Sequence, residues 1–170
     1  YGIHKTPRMI ASAGDAAGDE YSGTHTYSGI TLTPQVWDDA EKGTALRRLR
    51  RIRDRILAEK PYIYDDTEAP CDRLTSCLLN HYRDKNDYIG AHSDKNIFGS
   101  HVTVVTVSLG AVRTFRFRSK AIGKVHSECD LEPGDMCVMY GEATQRLFTH
   151  EIPKKVCDGA RISLTYRLLH

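Results

Sequence analysis

His92 and Asp94 stand two positions apart in GAHSDKN, residues 90–96 of the 170-residue sequence. At a strand end, side chains at i and i+2 leave from the same face, so one imidazole nitrogen and one carboxylate oxygen can reach a single metal ion. An H-x-D pair is common by chance, and a third ligand is needed. His150 in RLFTHEIP is the best placed of the other histidines, between the strand-like DMCVMY and the arginine-bearing RISLTYRL. Two histidines and one carboxylate form a facial triad that leaves coordination positions open, as in non-haem iron(II) sites. Catalytic zinc uses the same donors.

RISLTYRL helps to choose between the metals. Strand alternation places Arg161, Ser163, Thr165 and Arg167 on one face and Ile162, Leu164, Tyr166 and Leu168 on the other. Taken alone, this reads as a surface strand with a solvated basic face. Yet the two arginines are separated by roughly 20 Å of extended chain, and long arms reaching inward can hold a small dianion between them. The planar guanidinium fork suits a carboxylate. Asn80 and Tyr82 in LLNHY share a face by the same rule. A keto-acid held beside the metal favours iron over zinc.

These residues need strands to position them. VTVVTVSLG (102–110), RTFRFR (113–118), DMCVMY (135–140) and RISLTYRL (161–168) are β-branched or alternating, with Gly, Pro and Asn between them. In RTFRFR the alternation turns Phe115 and Phe117 inward. Upstream, residues 11–24 are small, polar and glycine-rich and read as a loop or lid. Thr33 and Pro34 read as a helix start, with Leu46, Leu49, Ile52 and Ile56 as its apolar stripe, a possible break at Gly43-Thr44, and an end at Pro61. The six arginines of RRLRRIRDR (47–55) read as that helix's solvated face, and Trp37 reads as core. Helix first and many short strands after predict a mainly β, α+β fold, a sandwich or barrel buttressed by a helix.

The length suits one domain with a real core. A net charge of +2 creates no global field that calls for an acidic partner. Five cysteines (Cys71, Cys77, Cys129, Cys137 and Cys157) form no C-x-x-C pair, which argues against a disulfide framework or structural zinc and for reduced thiols in an intracellular protein. No membrane span or signal peptide is expected from the hydropathy. The chain opens on Tyr1, as expected of an excised segment.

The ordered set NHY, HSD, H and RISLTYR closely resembles the AlkB-like branch of the Fe(II)/2-oxoglutarate-dependent dioxygenases. TPRMIASAGD and THTYSGITLTP resemble the nucleotide-recognition segment of its nucleic-acid demethylases. The resemblance is weakest over about 38–72. It implies a double-stranded β-helix, or jelly roll, divided into a recognition or lid segment (1–32), a helical buttress (33–73) and a catalytic core (74–170). It also implies Fe(II) on His92, Asp94 and His150, and 2-oxoglutarate with its distal carboxylate on Arg161 and the Tyr82 phenol. Asn80 and Arg167 would support the end nearer the metal. Tyr27 would stack on the target base, with Arg8, His25 and Ser28 in the same segment and His92 as the opposite wall.

The implied activity is oxidative demethylation of N-alkylated bases in DNA or RNA, in DNA repair or RNA demethylation. O2 is spent in converting the keto-acid to succinate and CO2, and the methyl group leaves as formaldehyde. The implied partner is a methylated nucleic acid, with a monomeric enzyme and no membrane. Two positions depart from the family. Asn96 stands where several repair members carry an acid, so it can accept a hydrogen bond but exerts no charge attraction. Ser163 stands where many have asparagine, which alters packing around the site more than iron binding. The alternative is the same chemistry on a protein side chain or small molecule. A non-catalytic binding module is disfavoured because every ligand candidate and both arginines are present.

Overall fold

The computed structural model describes residues 7–15, 25–27, 30–37, 44–59, 74–94 and 103–167. Its first half holds β1 (Met9–Gly14), β2 (His25–Tyr27), β3 (Ile30–Leu32), β4 (Gln35–Val36), α1 (Thr44–Ala58), β5 (Ser76–Tyr82) and β6 (Ile89–His92). The second half holds β7 (Thr103–Gly110), β8 (Arg113–Ser119), β9 (Val125–Leu131), β10 (Met136–Tyr140), α2 (Glu142–Leu147), β11 (Phe148–Ile152) and β12 (Arg161–Arg167). A major sheet runs β10-β7-β12-β5-β1-β4 and a minor sheet β6-β11-β8-β9, while β2 and β3 form a separate hairpin. Among these pairs only β1 with β4 is parallel. The mainly β class and jelly-roll architecture are those expected from the sequence.

Alternation sorts the major sheet into two faces. Cys77, Val105, Leu164 and Tyr166 point to the outer face and pack with Trp37 and with Leu46, Leu49 and Ile56 of α1. The Tyr166 hydroxyl donates to the Leu49 carbonyl at 2.9 Å, pinning helix to sheet. On the inner face Tyr82, Val104 and Met139 meet Ile89, Phe115, Leu131 and Ile152, all from the minor sheet. Burial of these side chains in both clusters is the main term holding the layers together.

Three local readings change. Ala11–Gly14 belongs to β1 rather than a loop, because its small side chains pair with Ser76–Leu79 of β5. Gln35–Val36 is a strand rather than the first turn of a helix, and α1 spans Thr44–Ala58. Most arginines of α1 are exposed as expected, but Arg53 turns back, with its guanidinium 4.7 Å over the Trp37 ring and Nη1 on Asp15 at 3.1 Å. Trp37 is buried as expected. Cys77, Cys129, Cys137 and Cys157 are free thiols; Cys71 lies outside the described residues. No helix among the described residues is long and apolar enough to cross a membrane.

Gly110 ends β7 opposite Arg161 with φ +84°, and a Cβ there would sit 2.4 Å from the Ala160 carbonyl oxygen. Gly110→Ala therefore combines backbone strain with a clash against rigid main chain. It is expected to lower unfolding free energy by more than about 1 kcal/mol, visible in the denaturant midpoint. An unchanged midpoint would contradict the tight approach of β7 to the turn before β12.

Candidate active site

Register across the major sheet sets the floor of the site. On β5, β12 and β7 the aligned rows are Tyr82-Arg161-Gly110, Asn80-Ser163-Ser108 and Leu78-Thr165-Thr106. These polar side chains face the minor sheet, across which β11 and β6 pair with His150 directly opposite His92. Between the sheets lies a cavity with about 410 Å³ of space including its open mouth, lined by His92, Asp94, His150, Arg161 and Arg167 among others. The strand read as solvated in isolation is thus buried, with Arg161 and Arg167 each at 3% exposure or less.

His92, Asp94 and His150 each present a ligand atom, and these atoms lie within 4.8 Å of one another. His92 Nε2 is 3.7 Å from Asp94 Oδ1, and His150 Nε2 is 4.0 Å from Asp94 Oδ2. Nδ1 of His92 lies 2.9 Å from the Gly90 carbonyl; a proton there leaves Nε2 as the lone-pair donor. Burial pushes the His92 imidazole below its usual range and His150 down to about 4. Both are therefore neutral near pH 7, as metal ligation requires.

Further contacts fix Asp94. Its backbone N–H donates to the Gln145 side-chain oxygen at 3.0 Å, and the neighbouring Ser93 hydroxyl donates to the Phe148 carbonyl at 2.9 Å. Arg167 Nη1 lies 3.4 Å from Asp94 Oδ1. At the other end, Arg161 is anchored through Nε to the Ser108 hydroxyl at 2.8 Å. Its Nη1 and Nη2 are buried with no acceptor in hydrogen-bonding geometry among the described residues. Buried unsatisfied guanidinium donors are costly. They suit an incoming carboxylate, which accepts from both at once.

Residues 4–167 match the family described as the 2OG-Fe(II) oxygenase superfamily. The chain belongs to that superfamily. It is 31% identical over 173 residues to the human DNA oxidative demethylase ALKBH2, covering 96% of this chain and 57% of that protein. The bovine ALKBH2 is 30% identical over 174 residues (96% and 54%), and the mouse alpha-ketoglutarate-dependent dioxygenase alkB homolog 3 is 29% identical over 175 (96% and 52%). The chain spans 48% to 62% of the length of the ALKBH2 proteins it matches. The fold is similar to that in "The structure of OsALKBH1", with a TM-score of 0.62 at 22% identity over 98% of this chain and 82% of that one.

Membership of the 2OG-Fe(II) oxygenase superfamily implies Fe(II) and 2-oxoglutarate, and the donor set fits both. His92, Asp94 and His150 would hold the iron, and Arg161 would take the distal carboxylate. When bound, the pair supplies an O2-derived oxidant, with 2-oxoglutarate giving up two electrons and CO2 to become succinate. The chain's own part is to orient the keto-acid, keep the imidazoles neutral and exclude bulk water.

The remaining expected residues are placed as follows. Asn80 is buried, and its Oδ1 accepts from Arg8 Nε at 2.7 Å; Arg8 is buried too and reaches the Tyr88 carbonyl. Arg8 therefore points inward to Asn80. His25 and Tyr27 lie on the β2–β3 hairpin, with Tyr27 opposite Ile30 at its closing end. Ser28 and Asn96 lie outside the described residues. Ser163 is buried between Asn80 and Ser108. Sequence reasoning missed Ser108 and Gln145. Alternation in VTVVTVSLG carried a signal for Ser108; nothing local marked Gln145.

Proposed function

We propose that this chain is an Fe(II)/2-oxoglutarate-dependent oxidative demethylase of N-alkylated nucleobases in DNA or RNA, releasing formaldehyde, succinate and CO2. The observation that carries the reading is similarity to DNA oxidative demethylases across 96% of the chain. In this reading residues 1–32 form the recognition segment, 33–73 the helical buttress and 74–170 the catalytic core. Tyr27 stacks on the target base, His25 and Ser28 lie beside it, and Arg8 acts through Asn80. Asn80, Tyr82, Arg161 and Arg167 orient the keto-acid. A base must leave its stack to reach the iron, which is least costly in damaged or single-stranded substrate.

Asn96 favours a second reading, the same chemistry on a protein side chain or small molecule, because it offers no negative charge to a cationic methylated base. Formaldehyde release decides between them. With Fe(II), 2-oxoglutarate and ascorbate, N-methylated DNA or RNA oligonucleotides are expected to release formaldehyde in step with succinate, and methyl-lysine peptides are not. Binding of iron and 2-oxoglutarate without turnover of any oligonucleotide would overturn the nucleobase reading.

A further inference from the structure

Arg113 opens β8 in the minor sheet and is not among the residues that line the cavity. It is 1% exposed, and its guanidinium carbon lies 5.5 Å from the centroid of the Tyr82 ring. The Arg161 guanidinium lies over the same ring at 5.4 Å. Two buried cations from opposite sheets therefore converge on one phenol. Arg113 Nη2 donates to the carbonyls of Asp87 and Pro153, both at 2.8 Å, and Nη1 to that of Asp84 at 3.3 Å; Nε is buried with no acceptor. Those carbonyls belong to the turn after β5, which carries Tyr82, and to the segment after β11, which carries His150.

Every acceptor is backbone, and no carboxylate among the described residues pairs with Arg113. The nearby Asp87 gives both its carboxylate oxygens to Arg83. Burial pulls the Arg161 guanidinium below its ordinary range; Tyr82 opposes the shift, and the charge of Arg113 adds to it, so the two cations sense each other. An arginine does not shed its proton on burial as a lysine does. Two permanent charges without a counter-ion are costly inside a protein, and an arriving anion relieves both.

We propose that Arg113 is a positioning residue for the co-substrate: it fixes the Tyr82 ring and adds a second positive charge to the end of the cavity where Arg161 meets the distal carboxylate. It thereby raises the selectivity for a keto-acid with two carboxylates over one with a single carboxylate. The inference rests on the co-substrate alone and is independent of which substrate is demethylated.

The test is calorimetric binding of two 2-oxo acids to the Mn(II)-loaded protein, without turnover. 2-Oxoglutarate carries the distal carboxylate, and 2-oxopentanoate has the same chain length without it. Arg113→Gln, which removes the charge but still donates to a carbonyl, is expected to weaken 2-oxoglutarate binding about tenfold and leave 2-oxopentanoate within about twofold, as loss of one nearby charge implies. Arg113→Met, with no donor, should show the same selective loss, and Arg113→Lys should keep the preference for 2-oxoglutarate. Equal losses for both acids in the neutral variants would make Arg113 merely structural. Unchanged 2-oxoglutarate binding, or loss of the preference in Arg113→Lys, would equally overturn the proposal.

Discussion

His150→Ala is expected to reduce succinate formation to background and weaken iron(II) binding by more than about 100-fold, since changes to a ligand's outer partners alone cost 10–100-fold. The ring is 7% exposed and sits 4.3 Å from that of His92, on the strand paired to β6. Without it, His92 and Asp94 remain as two ligands near one end of the cavity, and no other His, Cys, Asp or Glu joins the cluster among the described residues. The imidazole also stacks on Phe115 at 5.6 Å, so truncation leaves a gap costing about 2 kcal/mol. His150→Gln keeps most of that volume. It should lose iron as completely while melting closer to the parent, which separates lost ligation from lost packing. Anaerobic metal titration checks the first effect and thermal melting the second. Turnover that survives in both variants would mean that another group completes the triad.

What the sequence made legible follows from how strictly each element is patterned. Alternation in β12 has a period of two, and a buried strand cannot slip by one residue without turning its apolar set inside out. That is why Arg161, Ser163 and Arg167 could be assigned to one face, and why Leu164 and Tyr166 meet α1 on the other. The burial of the polar face was not legible, because it depends on a second sheet brought in from β6, β8, β9 and β11. Thr33 and Pro34 look like a helix start on local grounds. Pairing of Gln35 and Val36 with Ala13 and Gly14 overrides that signal, and pairing with β5 makes a strand of β1 although its small residues read as a loop. Gln145 was invisible for another reason. It sits on a six-residue helix whose N-cap, Gly141, makes no side-chain capping bond, so neither a cap nor a long apolar stripe announces the element that holds Asp94. Arg113 lies between these cases: alternation puts it on the inward face with Phe115 and Phe117, but its chemistry emerges only when the register brings Tyr82 and Arg161 beside it.

In Arg161→Met the protein without co-substrate should melt no lower than the parent, while 2-oxoglutarate affinity falls about 100-fold or more. The two effects have one cause. Nη1 and Nη2 are buried with no acceptor in hydrogen-bonding geometry among the described residues, so the side chain burdens the unliganded fold. Methionine is of similar length and carries no charge, and replacing a buried charge by an apolar side chain of similar volume is often neutral or stabilising. Against this stand, among the described residues, the bond from Nε to Ser108 and the contact with Tyr82, worth about 1 kcal/mol each. Binding reverses the balance. Two hydrogen bonds from a guanidinium to a carboxylate contribute about 3 kcal/mol or more, at about 1.5 kcal/mol each for the weaker cases, and that sum is the 100-fold. Thermal melting with Mn(II), with and without 2-oxoglutarate, reads both terms at once. The parent should gain about 2.7 kcal/mol at a co-substrate concentration 100 times its Kd, and the variant almost nothing at the same concentration. A variant that melts far below the parent yet is still stabilised by 2-oxoglutarate would make Arg161 a support of the fold and move the distal carboxylate to another cation.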